Sequence, residues 1–185
     1  FDARFKFVGP SIGRRTEAPS FPLNDLGNEP VIYSSLGTVF NDRGDFYRLC
    51  VEAFADLNYR VVLSVGNRID RSHLGTMPGN FIVKPFVPQL QLLQCATLFI
   101  THSGMNSVSE GLWAGVPLLM IPQAADQRFI AQHVQRLGAG RMLRNAKLNA
   151  QRLRKTAEEI LAQPAFQQMS ANIGASLRQA GGPTL

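Results

Sequence analysis

One short segment concentrates the residues able to do chemistry. Between Thr97 and Gln127 stand His102, Asn106, Ser107, Glu110, Asp126 and Gln127, punctuated by Gly104, Gly111 and Gly115. The segment opens on the apolar Leu98-Phe99-Ile100, turns at His102-Ser103-Gly104 and resumes as an amphipathic stretch that ends near Gly115. A second apolar run, Val116–Ile121, follows. That order predicts strand, helix and strand, with a polar turn at the C-terminal end of the first strand. The first N–H groups of a helix lack partners inside it, and the helix dipole adds partial positive charge there. Gly104 lets a ligand approach the backbone, and a phosphate group fits such a turn. Asn106 and Ser107 add side-chain donors in the first helical turn. Glu110, four residues after Asn106 and three after Ser107, shares their helix face. An acid beyond a phosphate site suits a pair of sugar hydroxyls, by analogy with dinucleotide folds. Val108, Leu112 and Gly115 form the opposite face, which is expected to pack on a sheet.

The rest of the chain supplies elements that would hold this segment. Val31–Leu36 reads as a first strand, followed by Gly37-Thr38 and a helix over Gly44–Leu57 with Phe46, Leu49, Cys50, Ala53 and Phe54 on one face. Arg60–Val65 and Asn80–Lys84 read as strands separated by a loop. Leu90–Cys95 reads as a short helix, Thr97–Thr101 as the fourth strand and Pro117–Ile121 as the fifth. Asp126–Leu137 is helical, Gly140–Leu143 is a sixth, edge strand, and Ala150–Ala162 is an amphipathic helix with Leu153, Ala157, Ile160 and Leu161 inward. Pro164 starts a last helix, which runs out at Gly181-Gly182. Before Val31 the chain has no clean period. Phe1–Pro10 partly alternates, as a strand or an extended linker would, and 11–30 reads as a surface connection. The domain plan is therefore 1–30 linker and connection, 31–185 a single α/β domain. Strands alternating with helices imply a Rossmann-like parallel sheet with helices on both faces.

In such sheets ligands bind beyond the C-terminal strand ends, near the point where strand order reverses. Gly37-Thr38 follows the first strand, Phe86 and Gln89 the third, His102 to Ser107 the fourth, and Asp126-Gln127 the fifth. The polar and glycine residues thus collect on one sheet edge, which favours a nucleotide-type ligand. A full G-x-G-x-x-G is absent, so this is not a dinucleotide fingerprint.

Composition narrows the classes. The chain has 185 residues, 45% hydrophobic and 17% charged, as a globular domain does. No apolar run is long enough for a transmembrane segment, and no signal peptide opens the chain. Cys50 and Cys95 show neither metal-ligand nor redox spacing, so a reducing, cytoplasmic setting is expected. The net charge of +6 is spread along the chain without interleaved aromatics. A solvated basic face explains it better than nucleic acid does.

Each candidate also has an ordinary reading. Gly37-Thr38 serves as a strand-to-helix turn or a phosphate contact. His102 is a core or capping histidine, or a phosphate donor; as a metal ligand it lacks company, since His73 and His133 are far away in sequence. Ser103 is expected to cap the helix. Glu110 is a solvated helix residue or a ligand carboxylate. Phe86 is core or a cover for a flat base, and Trp113 is packing. Asp126 and Gln127 are helix N-terminal residues or partners for vicinal hydroxyls.

Phe86-Val-Pro-Gln89, His102-Ser-Gly-Met-Asn-Ser107, Glu110-Gly, Gly115-Val-Pro117 and Pro122-Gln-Ala-Ala-Asp126-Gln127 together resemble the donor-binding half of the GT-B glycosyltransferases, the UDP-glycosyltransferase superfamily. Phe5-Lys-Phe-Val-Gly-Pro10 and Ser34-Ser-Leu-Gly-Thr38 look like its bacterial macrolide-glycosyltransferase-like branch. The resemblance implies that Phe86, Val87 and Gln89 hold uracil and ribose and that Glu110 accepts from the ribose hydroxyls. Thr38, His102, Asn106 and Ser107 would hold the diphosphate, with backbone N–H groups of the same turn. Asp126 and Gln127 would bind the sugar, a glucose-type donor first among the possibilities. Phe86 departs from plant relatives, which often carry tryptophan there.

The implied partners are a UDP-sugar and a small-molecule hydroxyl acceptor, with inversion at the anomeric carbon. No Asp-x-Asp metal motif is present, so no metal and no other cofactor is expected. The general base and acceptor pocket would lie in an N-terminal domain. The chain is expected to be an excised C-terminal domain that binds donor, transfers nothing alone and is prone to self-association. A sugar-nucleotide epimerase of the same fold and a non-catalytic donor-binding subunit are the competing readings.

Overall fold

The computed structural model describes residues 8–13, 21–38 and 41–181. Phe5 and Phe7, part of the alternation noted near the N-terminus, lie outside them, as does Gly182. Among the described residues six strands form one sheet: β1 (Val31–Ser35), β2 (Arg60–Ser64), β3 (Phe81–Lys84), β4 (Ala96–Thr101), β5 (Leu118–Met120) and β6 (Gly140–Met142). Their order is β3-β2-β1-β4-β5-β6, and every pairing is parallel. The helices are α1 (Gly44–Phe54), α2 (Gln89–Leu93), α3 (Met105–Trp113), α4 (Ala125–Arg136), α5 (Ala150–Leu161) and α6 (Pro164–Gln179). This is the α/β architecture expected from the alternation, with the edge strand β6 included.

Strand side chains alternate between two cores. Ile32, Val61, Leu63, Leu98 and Ile100 pack with Phe46, Cys50 and Phe54 of α1 and Leu153, Ala157 and Ile160 of α5. Val31, Tyr33, Val62, Phe99 and Leu118 face the other way, onto Leu92 and Leu93 of α2, Val108 and Leu112 of α3 and Ala131 and Val134 of α4. Burial on both faces is why the strands read as nearly continuous apolar runs.

Two local differences from the sequence expectation have physical causes. Helix α1 stops at Phe54 rather than Leu57, where the Asn80 side-chain amide lies within hydrogen-bond distance of the carbonyls of Phe54, Leu57 and Tyr59 and holds the turn that leads into β2. Gly115 does not face the sheet; a Cβ there would lie 3.3 Å from the Ala171 backbone of α6. The side of α3 that meets the sheet carries Gly111, where a Cβ would stand 2.8 Å from Leu118 Cδ2 and 3.0 Å from Phe99 Cδ1. Glycines thus let α3 approach the sheet on one side and α6 on another.

Gly174 of α6 meets the α3 backbone itself: a Cβ would overlap the Leu112 carbonyl and stand 3.1 Å from the Trp113 carbonyl. Backbone cannot rotate away as a side chain can. Gly174→Ala is therefore expected to destabilise the chain by about 1–3 kcal/mol, as overpacking does. Denaturant unfolding measures it, and an unchanged midpoint would refute the close α3–α6 contact.

Candidate functional site

Strand order reverses between β1 and β4. The chain leaving β1 enters α1 on one face, and the chain leaving β4 enters α3 on the other. The crevice this opens is a cleft of ≈ 1890 Å³ at the C-terminal strand ends. Gly37, Thr38, Phe86, Val87, Gln89, His102, Gly104, Asn106, Ser107, Glu110, Asp126 and Gln127 all line it. The residues singled out in the sequence are therefore brought to one place.

The His102 ring sits between two glycines. A Cβ on Gly37 would stand 2.7 Å from His102 Cε1, and one on Gly104 would overlap Nε2. Gly37 also has φ +79, where a side chain is strained. Both glycines thus make room for the imidazole, a role beyond the ligand access expected of Gly104. Asn41 steadies the β1 side: its Nδ2 donates to the Gly37 carbonyl at 3.0 Å, and its side chain lies over Gly66. Burial lowers the His102 pKa below its ordinary 6.5, against an opposing pull from Asp126.

The turn itself differs from expectation. Gly104, not Ser103, occupies the N-cap position of α3, and no side chain caps it. Ser103 instead takes a left-handed conformation with φ 71, the only non-glycine to do so among the described residues. Its cost, about 1–3 kcal/mol for such a residue, points to a functional turn. Ser103 Oγ and His102 Nδ1 are both buried without a hydrogen-bond partner. Neither atom opens onto the cleft; what the turn offers an anion there is the start of α3, whose first N–H groups have no partner inside the helix and no side-chain cap.

One and a half turns further along α3, Glu110 is only 5% exposed, so it is not an ordinary solvated residue. Gln89 Nε2 donates to its Oε2 at 2.6 Å, and Tyr33 Oη donates to Gln89 Oε1 at 2.9 Å. Phe86 is 45% exposed at the rim, so its ring is not core. Thr38 and Asn106 are also exposed at the cleft. At the end of β5, Asp126 is exposed while Gln127 is buried. The Gln127 side-chain Oε1 accepts from the backbone N–H groups of Gln123 at 2.8 Å and Ala124 at 3.1 Å. Gln127 therefore shapes the loop before α4 with its oxygen and keeps its amide nitrogen as a donor.

Sequence reasoning missed several lining residues. Tyr33 comes from the middle of β1, Ser35 and Ser64 from strand ends, Gln91 from α2 and Gln94 from just beyond it, Trp113 from α3 and Ile12 from the N-terminal segment. Trp113, expected to be packing, is half-buried and lines the cleft. A signal existed for Ser35 and Ser64, polar residues closing apolar strands. None existed for Tyr33, which reads as an ordinary strand aromatic.

A parallel sheet reversing at a polar cleft of this make-up defines a class: the C-terminal, Rossmann-like half of the GT-B glycosyltransferase fold. The chain superposes on the solved glycotransferase of kitacinnamycin with a TM-score of 0.85 and 38% identity, covering 97% of this chain and 46% of that one. The chain belongs to the family described as erythromycin biosynthesis protein CIII-like, C-terminal domain, whose model matches residues 48–184. Among curated relatives it is 42% identical to the uncharacterized UDP-glucosyltransferase YojK of Bacillus subtilis, over 98% of this chain and 45% of that protein. It is 40% identical to the NDP-glycosyltransferase YjiC of the same species, over 98% and 46%. The chain thus spans less than half the length of these relatives. No helix among the described residues is long and apolar enough to cross a membrane.

Because the folded state favours the neutral His102 ring, the unfolded chain binds more protons between the lowered pKa and 6.5. The stability linked to this ring is complete above 6.5 and is lost as pH falls from there through the lowered value. Histidine-detected NMR should show His102 titrating below 6.5, and Asp126→Asn should lower it further by removing the opposing charge. A titration at or above 6.5 in the unmodified chain would show the ring is not desolvated.

Proposed function

We propose that this chain is the nucleotide-sugar donor-binding domain of an inverting glycosyltransferase that moves a hexose, glucose from UDP-glucose, onto a small-molecule hydroxyl. The observation that carries the reading is the α3 start: helix N–H groups with no side-chain cap beside His102, followed along one helix by a buried carboxylate in the same cleft. Gly104 and Glu110 are six residues apart, about 9 Å along a helix axis. That spacing suits a diphosphate at the helix start and a ribose diol at Glu110. Exposed Phe86 offers a ring face to the base, and Val87 beside it offers backbone groups. Asp126 and the Gln127 amide offer an acceptor and a donor to sugar hydroxyls. The name of the Bacillus subtilis relative YojK, an uncharacterized UDP-glucosyltransferase, is in keeping with UDP-glucose.

In the reaction, an acceptor hydroxyl oxygen forms a bond to the anomeric carbon as that carbon's bond to the diphosphate oxygen breaks. The hydroxyl proton passes to a general base, and the leaving UDP gains negative charge. The α3 N-terminus, Thr38, Asn106, Ser107 and His102 stabilise that charge as preorganised donors. No divalent ion takes part in this reading. The base and the acceptor pocket are assigned to the part of the relatives that lies outside the match.

Calorimetric titration with UDP and then UDP-glucose tests the assignment. UDP should bind saturably, and Glu110→Ala should weaken it at least about tenfold, the loss expected when a charge-assisted pair to hydroxyls is removed. Asp126→Ala should weaken UDP-glucose but not UDP. Binding of both should survive EDTA. A folded chain that binds neither ligand, or binds only when magnesium or manganese is restored, would overturn the reading.

A further inference from the structure

The site's carboxylate is held from the centre of the sheet. Tyr33 lies in β1, paired on both sides, opposite Val62 of β2 and Phe99 of β4. Its ring stacks on Phe99 at 4.8 Å with planes 4° apart, and it is essentially buried. The hydroxyl it carries to the cleft is therefore fixed by the most constrained strand of the molecule. It donates to Gln89 Oε1, and Gln89 Nε2 donates to Glu110 Oε2.

Hydrogen-bond chemistry allows this chain only one direction. A carboxylate accepts and does not donate, so Gln89 must turn its NH2 toward Glu110 and its carbonyl toward Tyr33. The Tyr33 hydroxyl donates to that carbonyl and locks the amide orientation. Serial bonds of this kind also polarise one another. A carboxylate has about four acceptor directions, so Glu110 can take hydroxyl donors while Gln89 holds it. Without Tyr33, the Gln89 amide would lose its anchor and the carboxylate its fixed aim.

We infer that Tyr33 is a positioning residue which, through Gln89, aims Glu110 at a vicinal diol and so makes the cleft select ribonucleoside over 2′-deoxyribonucleoside diphosphates. The inference rests on the donor reading above and deepens it by naming the residue that positions the diol-binding carboxylate. Tyr33 acts in this inference as a positioning residue, through Gln89 and Glu110.

The test compares UDP with 2′-deoxyuridine 5′-diphosphate by calorimetry, in the unmodified chain, Tyr33→Phe, Gln89→Ala and the double variant. Phenylalanine preserves the stack on Phe99, and thermal unfolding checks that each variant folds. Tyr33→Phe should weaken UDP about fivefold to tenfold, one hydrogen bond's worth, and leave the deoxy ligand within about twofold. In the Gln89→Ala background the same substitution should change neither. The side-chain NH2 resonances of Gln89 should shift and exchange faster with solvent in Tyr33→Phe. Equal weakening of both ligands, or an undiminished effect of Tyr33→Phe without Gln89, would mean a merely structural tyrosine. UDP affinity and Gln89 resonances both unchanged by Tyr33→Phe would overturn the inference while leaving the donor site standing. No UDP binding by the unmodified chain would sink the donor reading, and this inference with it.

Discussion

The wedging of one imidazole between two strand-end loops is the constraint on which the rest of the cleft depends. At the β1–β4 seam the loops diverge to opposite faces, so nothing in the sheet itself closes the gap between them. His102 fills that gap with Gly37 on one side and Gly104 on the other, each position too close to the ring for a Cβ. The two loops are thereby set at a fixed separation, and α3 starts from the same turn. Desolvation keeps the ring neutral, which suits a packed position: a charged imidazolium there would have to be compensated. The left-handed Ser103 follows from the same geometry, since the chain must turn tightly around the ring to enter α3.

Lowering α3 onto the sheet is the second requirement. A helix normally stands off a sheet by its side chains, but Gly111 removes that spacer over Phe99 and Leu118, and Gly174 of α6 lets the outer helix close down on α3. The neighbouring Glu110 is then drawn into a place where water is largely excluded. A carboxylate in such a place is costly unless it is hydrogen-bonded. The Gln89 amide, at 2.6 Å, answers that cost, and it comes from α2, which packs on the same side of the sheet. Close packing and polar satisfaction are thus coupled through adjacent residues of one helix.

These couplings explain what was legible in the sequence. Apolar periodicity placed the strands and helices within a few residues, including β6, because both faces of the sheet demand continuous burial. The polar residues at strand ends were legible too, since residues such as His102, Asn106 and Asp126 have no reason to interrupt apolar runs at one sheet edge otherwise. What stayed hidden was contact between distant positions. Tyr33 and Gln89 are 56 residues apart, and nothing local marks a strand tyrosine as polar in function. Gly37 and Gly104 read as turn or ligand-access glycines because the imidazole they accommodate is visible only in three dimensions. Ser103 was misread as a cap for the opposite reason: the local preference is real, but the turn around His102 moved the cap position to Gly104.

The charge of the cleft bears on how it could hold an anion. The chain carries +6 overall, yet among the described residues that line the cleft there is no lysine or arginine, while Glu110 and Asp126 are both present. Point-charge attraction at the site therefore does not come from these side chains. What remains is directional: helix N–H groups, hydroxyls, an amide and a neutral ring, each effective only at hydrogen-bond distance. Such a site discriminates by placement rather than by sign. A phosphate at the α3 start meets donors, whereas one displaced along the helix toward Glu110 meets a carboxylate. The two acids thus act as boundaries that fix where negative charge can sit. The surrounding positive field draws anions toward the molecule, but register within the cleft is set by this alternation of donors and acids, and that is why the spacing along α3 matters more than the net charge.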